Sequence, residues 1–353
     1  MENAVKSRLQ SLQFGEVQVY KGIAIVPLIA PADGAFQYNT LGEALAAADL
    51  AITEVSAAGS VPELMVVNRS GKPVLLVDGE ELAGAKQNRV LNTSILIKEI
   101  SETKIPVSCT EQGRWAYTSK AFSESGHIMA HTSRSRKTNS VHSSLQASGK
   151  YRSDQGEVWQ EIAALQAKAG AHSPTSAMHD VFEARADDLR ECEEIFKPVP
   201  NQVGLLTFIG GRPAGADMVS LTSAYAKLHP KLVRSYALEG LLEPKQETRA
   251  PEAIVSDSRK FLDEILAAEE HQFASIGHGT EFRYRSNPST LHSQPPSAVV
   301  HGPRSTVSGL SLTGTALVHK NEVIHAAFFR LDDSEKPSHM ASLFRRRRHS
   351  SRQ

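Results

Sequence analysis

Polar side chains in two short stretches of the sequence have the chemistry needed to bind an anion or to transfer a proton. The first stretch, residues 78–92, contains D-G-E-E, K-Q-N-R and an asparagine, and the second, residues 109–115, reads C-T-E-Q-G-R-W. Because this polar sequence directly follows an apolar run at 74–77, we predict a site at the ends of buried strands. The candidate site residues are Asp78, Glu80, Glu81, Lys86, Gln87, Asn88, Arg89, Asn92, Glu111, Gln112, Arg114 and Trp115.

Three glutamates, Glu80, Glu81 and Glu111, are the candidate catalytic groups. Two carboxyl groups act as general acid and general base when their environments move their pKa values apart. Carboxylates on a turn also bind divalent cations through oxygen, but the spacing of D-G-E-E matches no metal motif, so the cofactor stays open. For Asp78 taken alone, a solvated position on the turn is the simpler interpretation.

The ligand-binding candidates supply positive charge, amides and one aromatic ring. Lys86 and Arg89 can neutralise an anion, and the two amides between them can bind hydroxyl groups. Alternation along a strand places Lys86 and Asn88 on one face and Gln87 and Arg89 on the other. Asn92 falls on the same face as Asn88. In the second stretch the glutamine and arginine can line the same pocket, and Trp115 offers a stacking surface for a base or a sugar.

The elements that position these residues are predicted to be mainly strands. A hairpin at 17–29 precedes a short helix, which begins at the capping box Thr40 to Glu43. Further strands are predicted at 52–55, 63–68, 74–77, 90–97 and 105–109, and a closing hairpin within 312–330. The fold class is therefore α+β: a mainly antiparallel sheet from the N-terminal strands and the C-terminal hairpin, with a helical middle segment packed on one face.

The middle of the chain is predicted to be helical after a polar segment. Residues 121–152 lack apolar periodicity and predict a long loop, in which His127 and His131 decorate the surface and do not form a zinc site. Helices are predicted at 158–169, 174–196, 222–229, 232–242 and 251–268, with strands at 203–209, 281–284 and 298–301.

Composition excludes several classes of protein. The chain of 353 residues has a net charge of zero, which gives no general attraction to nucleic acid. It shows neither a secretory signal nor an apolar run long enough to cross a bilayer, so we expect a cytoplasmic protein without a membrane partner. Cys109 and Cys192 lack the spacing of a disulfide framework or a zinc ribbon. Oligomeric state is not indicated.

The predicted domain organisation is simple. Residues 1–16 are an N-terminal extension, 17–330 form one domain, and 331–353 are a disordered basic tail. The arginine run in this tail begins at Arg345 and ends at Arg348, and it can touch nucleic acid only weakly through phosphates.

The chain resembles the ARPP-1 domain family, the ADP-ribosylglycohydrolase and rhodanese-phosphatase superfamily associated protein domain. The match covers residues 17–329 and rests on D-G-E-E-L-A-G-A-K-Q-N-R from Asp78, L-N-T-S from Leu91, I-P-V-S-C-T-E-Q-G-R-W from Ile105, Q-G-E-V-W from Gln155, S-P-T-S-A from Ser173 and R-S-Y-A from Arg234. The resemblance implies a role in nucleotide or ADP-ribose metabolism in a prokaryotic stress or conflict setting. It implies no catalytic residues and no reaction.

Two hypotheses follow from these residues. In the first, the protein binds or processes a small anionic nucleotide-derived ligand, related to ADP-ribose or NAD, at the candidate site. In the second, it is a non-enzymatic structural or interaction module, and the same polar motif is a buried hydrogen-bond network that fixes the register of the strands. The sequence does not decide whether the protein is an enzyme.

Overall fold

A computed structural model of the protein describes residues 3–56, 59, 62–243, 249–286 and 311–331. The strand predicted at 298–301 and the basic tail beyond residue 331 lie outside the described residues. The residues predicted to be an N-terminal extension form a helix and a short strand, and Val5 and Leu9 of that helix are buried in the core.

The described part of the chain forms 18 strands and 8 helices. The strands are β1 (Gln13–Phe14), β2 (Gln18–Tyr20), β3 (Ile23–Ile29), β4 (Asn39–Thr40), β5 (Leu50–Glu54), β6 (Glu63–Asn68), β7 (Val74–Leu76), β8 (Glu80–Gly84), β9 (Arg89–Leu91), β10 (Ile95–Ile97), β11 (Ser101–Cys109), β12 (Phe122–Ile128), β13 (Gln202–Ile209), β14 (Arg212–Val219), β15 (Glu269–Ala274), β16 (Thr280–Ser286), β17 (Ser311–His319) and β18 (Glu322–Leu331). The helices are α1 (Ala4–Ser11), α2 (Leu41–Ala46), α3 (His131–Ser148), α4 (Gln155–Ala169), α5 (His179–Glu183), α6 (Ala186–Ile195), α7 (Thr222–Leu242) and α8 (Pro251–Ala267).

Three sheets make up the β structure. The largest has nine strands in the order β1-β3-β13-β14-β18-β17-β16-β15, with β2 also paired to β3. A six-stranded sheet has the order β12-β8-β9-β11-β6-β5, and a three-stranded sheet has the order β10-β7-β4. Pairing is antiparallel except between β4 and β7. The predicted α+β class and the mainly antiparallel pairing are therefore confirmed, but the strands divide among three sheets.

Helices cover both faces of the nine-stranded sheet. On one face, α1 and α8 pack through residues such as Leu9 and Phe261 in one apolar core. On the other face, α4 to α7 enclose a second core that contains Tyr225 and Phe182. The third core lies within the two smaller sheets. The prediction of helices on one face thus accounts for only one of the two helical layers.

The predicted loop at 121–152 is wrong, because these residues form β12 and α3. The buried side of α3 carries polar and charged side chains, among them Arg134, Lys137 and Thr138, which pair with groups on neighbouring strands. A helix whose buried face is charged has no apolar periodicity, so the usual sequence signal for a helix is absent.

Three other predictions in the middle of the chain need correction. Residues 212–219 form β14, a hairpin partner of β13 that the sequence reading missed. Residues 222–242 form one helix, α7, which contains Pro230 in its interior. The helix predicted from Pro174 begins only at His179 and is split into α5 and α6.

None of the helices in the described ranges combines the length and the apolarity that a membrane span requires.

Candidate functional site

Asp78 lies at the centre of the molecule, in the turn between β7 and β8. Its carboxylate contacts Lys137 Nζ and accepts hydrogen bonds from Arg134 Nε at 3.4 Å and Thr138 Oγ1 at 3.2 Å. Its backbone N–H donates to Ser94 Oγ at 2.9 Å. Burial alone would raise the pKa of Asp78, but Lys137 and Arg134 outweigh burial and hold it below its usual value. Asp78 is therefore an ionised internal anchor for α3, not a solvated turn residue.

Arg134 connects Asp78 to a second buried carboxylate on β14. Its two terminal nitrogens donate to Asp217 Oδ1 at 2.7 Å and Oδ2 at 3.0 Å, a bidentate geometry. Tyr236 Oη also donates to Asp217, and His325 Nε2 lies 3.5 Å from it. Burial acts to raise the pKa of Asp217, but the charge of Arg134 and the contact with His325 prevail and lower it to about 2.

A third buried pair completes this group of charges. Glu281 accepts hydrogen bonds from the hydroxyls of Thr93 and Thr315, and Arg283 Nε lies 2.9 Å from its Oε1. We call the resulting six side chains, none more than 1% exposed, the central ion cluster: Asp78, Arg134, Lys137, Asp217, Glu281 and Arg283. Three acidic side chains face three basic ones, and such pairing is the condition for keeping charges in a dry interior, although burial lowers the pKa of Lys137 and raises that of Glu281.

Gly79 gives the Asp78 turn its conformation. Its φ is +86°, and an added Cβ would lie 2.9 Å from Arg134 Cδ. Its carbonyl accepts a hydrogen bond from Met129 N at 2.8 Å, directly before α3. The glycine therefore lets the turn approach the arginine closely.

We expect Gly79→Ala to lower the free energy of unfolding by about 2 kcal/mol, because it combines left-handed strain with a clash. The matched control is Gly170→Ala, whose φ is also positive, at +63°, but whose Cβ would meet open space. The control should cost about 1 kcal/mol. Urea unfolding measures both, and equal costs would show that contact with Arg134 is unimportant.

The candidate catalytic residue Glu80 is held by a lysine from α7. Lys231 Nζ contacts both Glu80 Oε1 and Glu124 Oε1, and Glu80 Oε2 accepts from Val77 N at 2.7 Å. Burial would lower the pKa of Lys231, but the two carboxylates raise it above its usual value. Glu80 thus takes part in an ion pair that links the six-stranded sheet to α7.

Glu81 has the pKa shift expected of a proton-transfer group. Its side chain is fully buried on β8, and Oε1 accepts a hydrogen bond from Thr110 Oγ1 at 2.8 Å. Burial raises the pKa of Glu81 to about 7, although hydrogen bonds from Thr110 and Ser125 act against burial. It can hold a proton near neutral pH, but its buried position keeps it from direct contact with solvent.

The third candidate carboxylate, Glu111, forms a local network with Arg114 and Asn88. Arg114 Nε donates to Glu111 Oε1 at 2.8 Å and Thr175 Oγ1 donates to the same oxygen at 2.8 Å. Asn88 N donates to Glu111 Oε2 at 3.2 Å, and Arg114 Nη2 donates to Asn88 Oδ1 at 3.1 Å. These contacts join the loop after β8 to the end of β11.

Arg89 and its neighbours form a group beneath Trp115, and Gln87 Nε2 joins this group to the Glu111 network by donating to Glu111 O. Arg89 Nη1 donates to Gln87 Oε1 at 2.6 Å and to Cys109 Sγ at 3.1 Å, and Nη2 lies 3.8 Å from Glu54 Oε1. The Trp115 ring, 49% exposed, covers the guanidinium. Lys86 Nζ lies over the same ring, 5.4 Å from its centroid.

The remaining two candidates have different surroundings. Asn92 donates to Tyr151 O at 3.0 Å and accepts from Ser108 Oγ at 2.7 Å, so its amide is internal. Gln112 is exposed. The structure thus connects Gln87, Asn88, Arg89, Glu111 and Arg114 through hydrogen bonds, whereas Asp78, Glu80, Glu81 and Asn92 have other partners, and most of these side chains are buried and engaged with other protein groups.

A cleft of about 350 Å³ lies elsewhere, where the first turn of α3 meets α4, the β13–β14 turn and the ends of α7 and β18. Its polar lining includes His131, Thr132, Ser133, Arg136, Glu161, Lys168, Arg212, Glu239, Glu243 and Arg330. The volume is within the range of pockets that hold small ligands. Sequence reasoning missed this cleft, because its central element is the helix that was predicted to be a loop. The signal available was the run H-T-S-R-S-R-K at 131–137.

Ion pairs and a helix end set the electrostatics of this cleft. Ala130, the N-cap residue of α3, makes no side-chain cap, and a carboxylate from α7 lies at the positive end of this 18-residue helix instead. Glu239 Oε2 accepts from Thr132 N at 2.8 Å and lies 2.6 Å from His131 Nδ1. Burial would raise the pKa of Glu239, but His131 outweighs burial and lowers it. Arg212 is exposed on the rim, with no carboxylate within 4.0 Å among the described residues.

One group of side chains in the described ranges has donors arranged to hold a metal ion. It consists of His127, His179 and Glu183, whose donor atoms lie within 4.8 Å of one another. The D-G-E-E turn shows a different arrangement, because Asp78 and Glu80 are each paired with a lysine. The prediction that His127 decorates a surface loop is wrong, since it lies on β12 and is buried. Its pKa is lowered to about 3, chiefly by burial, so its imidazole is neutral.

Comparison with known proteins agrees with the resemblance seen in the sequence. The profile of the ARPP-1 family, described as ARG and Rhodanese-Phosphatase-superfamily-associated Protein domain, matches residues 11–329. No curated protein and no solved structure matches the chain.

Proposed function

The chain belongs to the ARPP-1 family, and on that premise we propose that it binds a phosphate-bearing, nucleotide-derived ligand in the cleft at the start of α3. The observation that carries this proposal is that the N-terminus of α3 faces a cleft of ligand size whose lining includes four basic side chains, of which Arg212 on the rim has no carboxylate within 4.0 Å among the described residues. Helix N-termini bind phosphates through free N–H groups and the helix dipole. The basic side chains at the cleft are Arg136, Lys168, Arg212 and Arg330.

The acidic residues of the cleft favour a ligand that carries hydroxyl groups as well as phosphate. Glu161 contacts Arg136 and Glu239 is held by His131, so both carboxylates have fixed positions in the lining. A carboxylate accepts hydrogen bonds from a ribose and repels a bare phosphate. A ligand with a phosphate at one end and a ribose at the other, such as ADP-ribose, matches this mixed lining. The family description, which names an association with ADP-ribosylglycohydrolases, supports the same ligand class.

In this proposal the motif at 78–92 has a positioning role. Asp78 contacts three residues of α3, and Gly79 O accepts from Met129 N, directly before the N-cap of α3. The buried motif residues would fix the orientation of α3 and thereby the geometry of the cleft. This role adopts the network of the second sequence hypothesis, which the burial of Asp78, Glu81 and Arg89 favours.

The proposal is tested by isothermal titration of the full chain with ADP-ribose, ADP, NAD and, as an uncharged comparison, adenosine. We expect at least one phosphate-bearing ligand to bind and adenosine not to bind. We expect Arg212→Ala to weaken that binding about ten-fold, because one charge-assisted contact to phosphate contributes about 1.4 kcal/mol.

The matched control is Arg69→Ala, which removes an exposed arginine from β6's end, away from the cleft lining. It should leave the affinity unchanged, and raised salt should weaken binding in wild type more than in Arg212→Ala. The proposal is wrong if no phosphate-bearing ligand binds, or if the two arginine variants have the same affinity.

A further inference from the structure

Two histidines and a glutamate converge where β12 meets α5. His127 Nε2 lies 3.6 Å from Glu183 Oε1, and His179 Nε2 lies 3.8 Å from the same oxygen. In a tetrahedral zinc site with bonds of about 2.1 Å, neighbouring donor atoms are separated by about 3.4 Å. The two histidine nitrogens therefore stand close to the separations that a common metal ion would impose.

The fold holds these donors from two directions. His179 and Glu183 are one helical turn apart on α5, so their side chains point the same way. The start of α5 is fixed to the six-stranded sheet, because Met178 N donates to Thr110 O at 2.8 Å. His127 comes from β12 and stacks on Phe182, with ring centroids 4.4 Å apart. The ligands are thus supplied by ordered elements.

An ordinary ion pair does not explain this arrangement. His127 is 5% exposed, and its Nε2 and the Nε2 of His179 approach the same oxygen of Glu183. The donors are two imidazoles, one buried and one partly exposed, beside one carboxylate oxygen. Such a donor set suits a borderline transition metal. Glu183 is 57% exposed and His179 is 35% exposed, so further coordination positions would face solvent.

We propose that His127, His179 and Glu183 form a binding site for a transition metal ion of the zinc class, with an open position toward solvent. Three protein ligands with one position left for water are characteristic of reactive zinc sites, whereas structural sites use four. The largest donor separation, within 4.8 Å, requires His179 to move inward. Its surface position and the absence of a hydrogen bond at its Nδ1 among the described residues permit that movement.

The charges around the site are compatible with a divalent cation. Lys231 and Arg234 of α7 act on His127, but each is already paired with carboxylates. Lys231 contacts Glu80 and Glu124, and Arg234 contacts Glu193. Carboxylates therefore outnumber the cations on this side of α5, and Glu183 adds a further negative charge.

The test uses the full chain, stripped with a chelator and then titrated with Zn²⁺, and separately with Co²⁺ as an optical probe. We expect one tight equivalent of Zn²⁺, a rise in melting temperature on binding, and a cobalt absorption spectrum of a four- or five-coordinate site. His179→Ala and Glu183→Gln alter half-exposed side chains, so both variants should fold. Each should weaken Zn²⁺ binding at least ten-fold.

The matched control is His172→Ala, which removes an exposed histidine seven positions earlier in the chain. It should bind Zn²⁺ as wild type does and give the same cobalt spectrum. The proposal is overturned if wild type takes up no tight equivalent, or if His179→Ala and Glu183→Gln bind Zn²⁺ as the control does. Metal binding and ligand binding in the α3 cleft are measured separately, so either proposal can fail alone.

Discussion

Replacing Arg134 with methionine is expected to lower the free energy of unfolding by about 3–5 kcal/mol, the usual cost of removing one partner from a buried ion pair. The substitution leaves Asp217 without its bidentate partner and removes one of the two cations at Asp78. Both carboxylates are fully buried, so water cannot replace the lost contacts. Urea unfolding followed by circular dichroism measures the change.

The matched control for this prediction is Arg190→Met. Arg190 pairs with Asp187 on the surface, with side chains 66% and 97% exposed, and such pairs contribute about 0–1 kcal/mol. If Arg134→Met costs no more than this control, the central ion cluster does not stabilise the fold as its geometry indicates.

A double-mutant cycle separates the contact itself from the loss of an arginine. Asp217→Asn alone leaves Arg134 with a weaker acceptor. In the Arg134→Met background the ion pair is already lost, so Asp217→Asn has no ion pair left to remove. We expect the double variant to be more stable than the sum of the two single effects predicts, by at least about 1 kcal/mol. Additive effects would show that the two residues are not coupled.

The parts of the fold that the sequence predicts are those specified by local patterns. The capping box at Thr40 is confirmed, with Glu43 N donating to its hydroxyl and the Glu43 side chain accepting from Thr40 N. The closing hairpin is confirmed as β17 and β18, which turn at Lys320 and Asn321 with positive φ. Alternation and turn residues act over a few positions, so one segment of sequence contains all the information needed.

Elements whose burial depends on distant charges escape such reasoning. The buried face of α3 is polar because it meets two carboxylates, Asp78 in a turn and Asp217 on β14, which lie 56 and 83 positions away from Arg134 in sequence. No element is predicted between the strand that ends at 209 and the helix at 222, whereas Gly210 and Gly211 adopt positive φ in a hairpin turn from which β14 continues.

The candidate site shows the same division. The sequence identified an unusual density of charge at 78–92, and the structure places much of it in buried pairs. The sequence did not show which partner each charged side chain has, because the partners Lys137, Lys231 and Glu54 come from remote segments. A polar motif in sequence looks the same whether it faces a ligand or a counter-charge. Only the tertiary arrangement distinguishes a side chain that faces a cleft from one that faces a buried counter-charge.

The buried carboxyl of Glu81 gives a prediction about pH. Its pKa is raised from 4.5 in the unfolded chain to about 7 in the fold, chiefly by burial. Between these values the folded chain keeps a proton that the unfolded chain has lost, so the contribution of Glu81 to stability is full below pH 4.5 and is lost as pH rises through about 7. The loss amounts to about 3 kcal/mol, at about 1.4 kcal/mol for each pKa unit.

Glu81→Gln tests this, because glutamine retains an acceptor for Thr110 Oγ1 but cannot ionise. We expect the variant to gain about 3 kcal/mol relative to wild type between pH 4.5 and pH 7.5, measured by urea unfolding at each pH. Buried His127 and His142 shift stability in the opposite direction, because their pKa values are lowered to about 3, but both proteins contain them and the difference cancels. Glu102→Gln, at an exposed position on β11, controls for the loss of a carboxylate as such. A difference that does not change with pH would mean that Glu81 is ionised inside the fold, and its role as a buried proton holder would then be excluded.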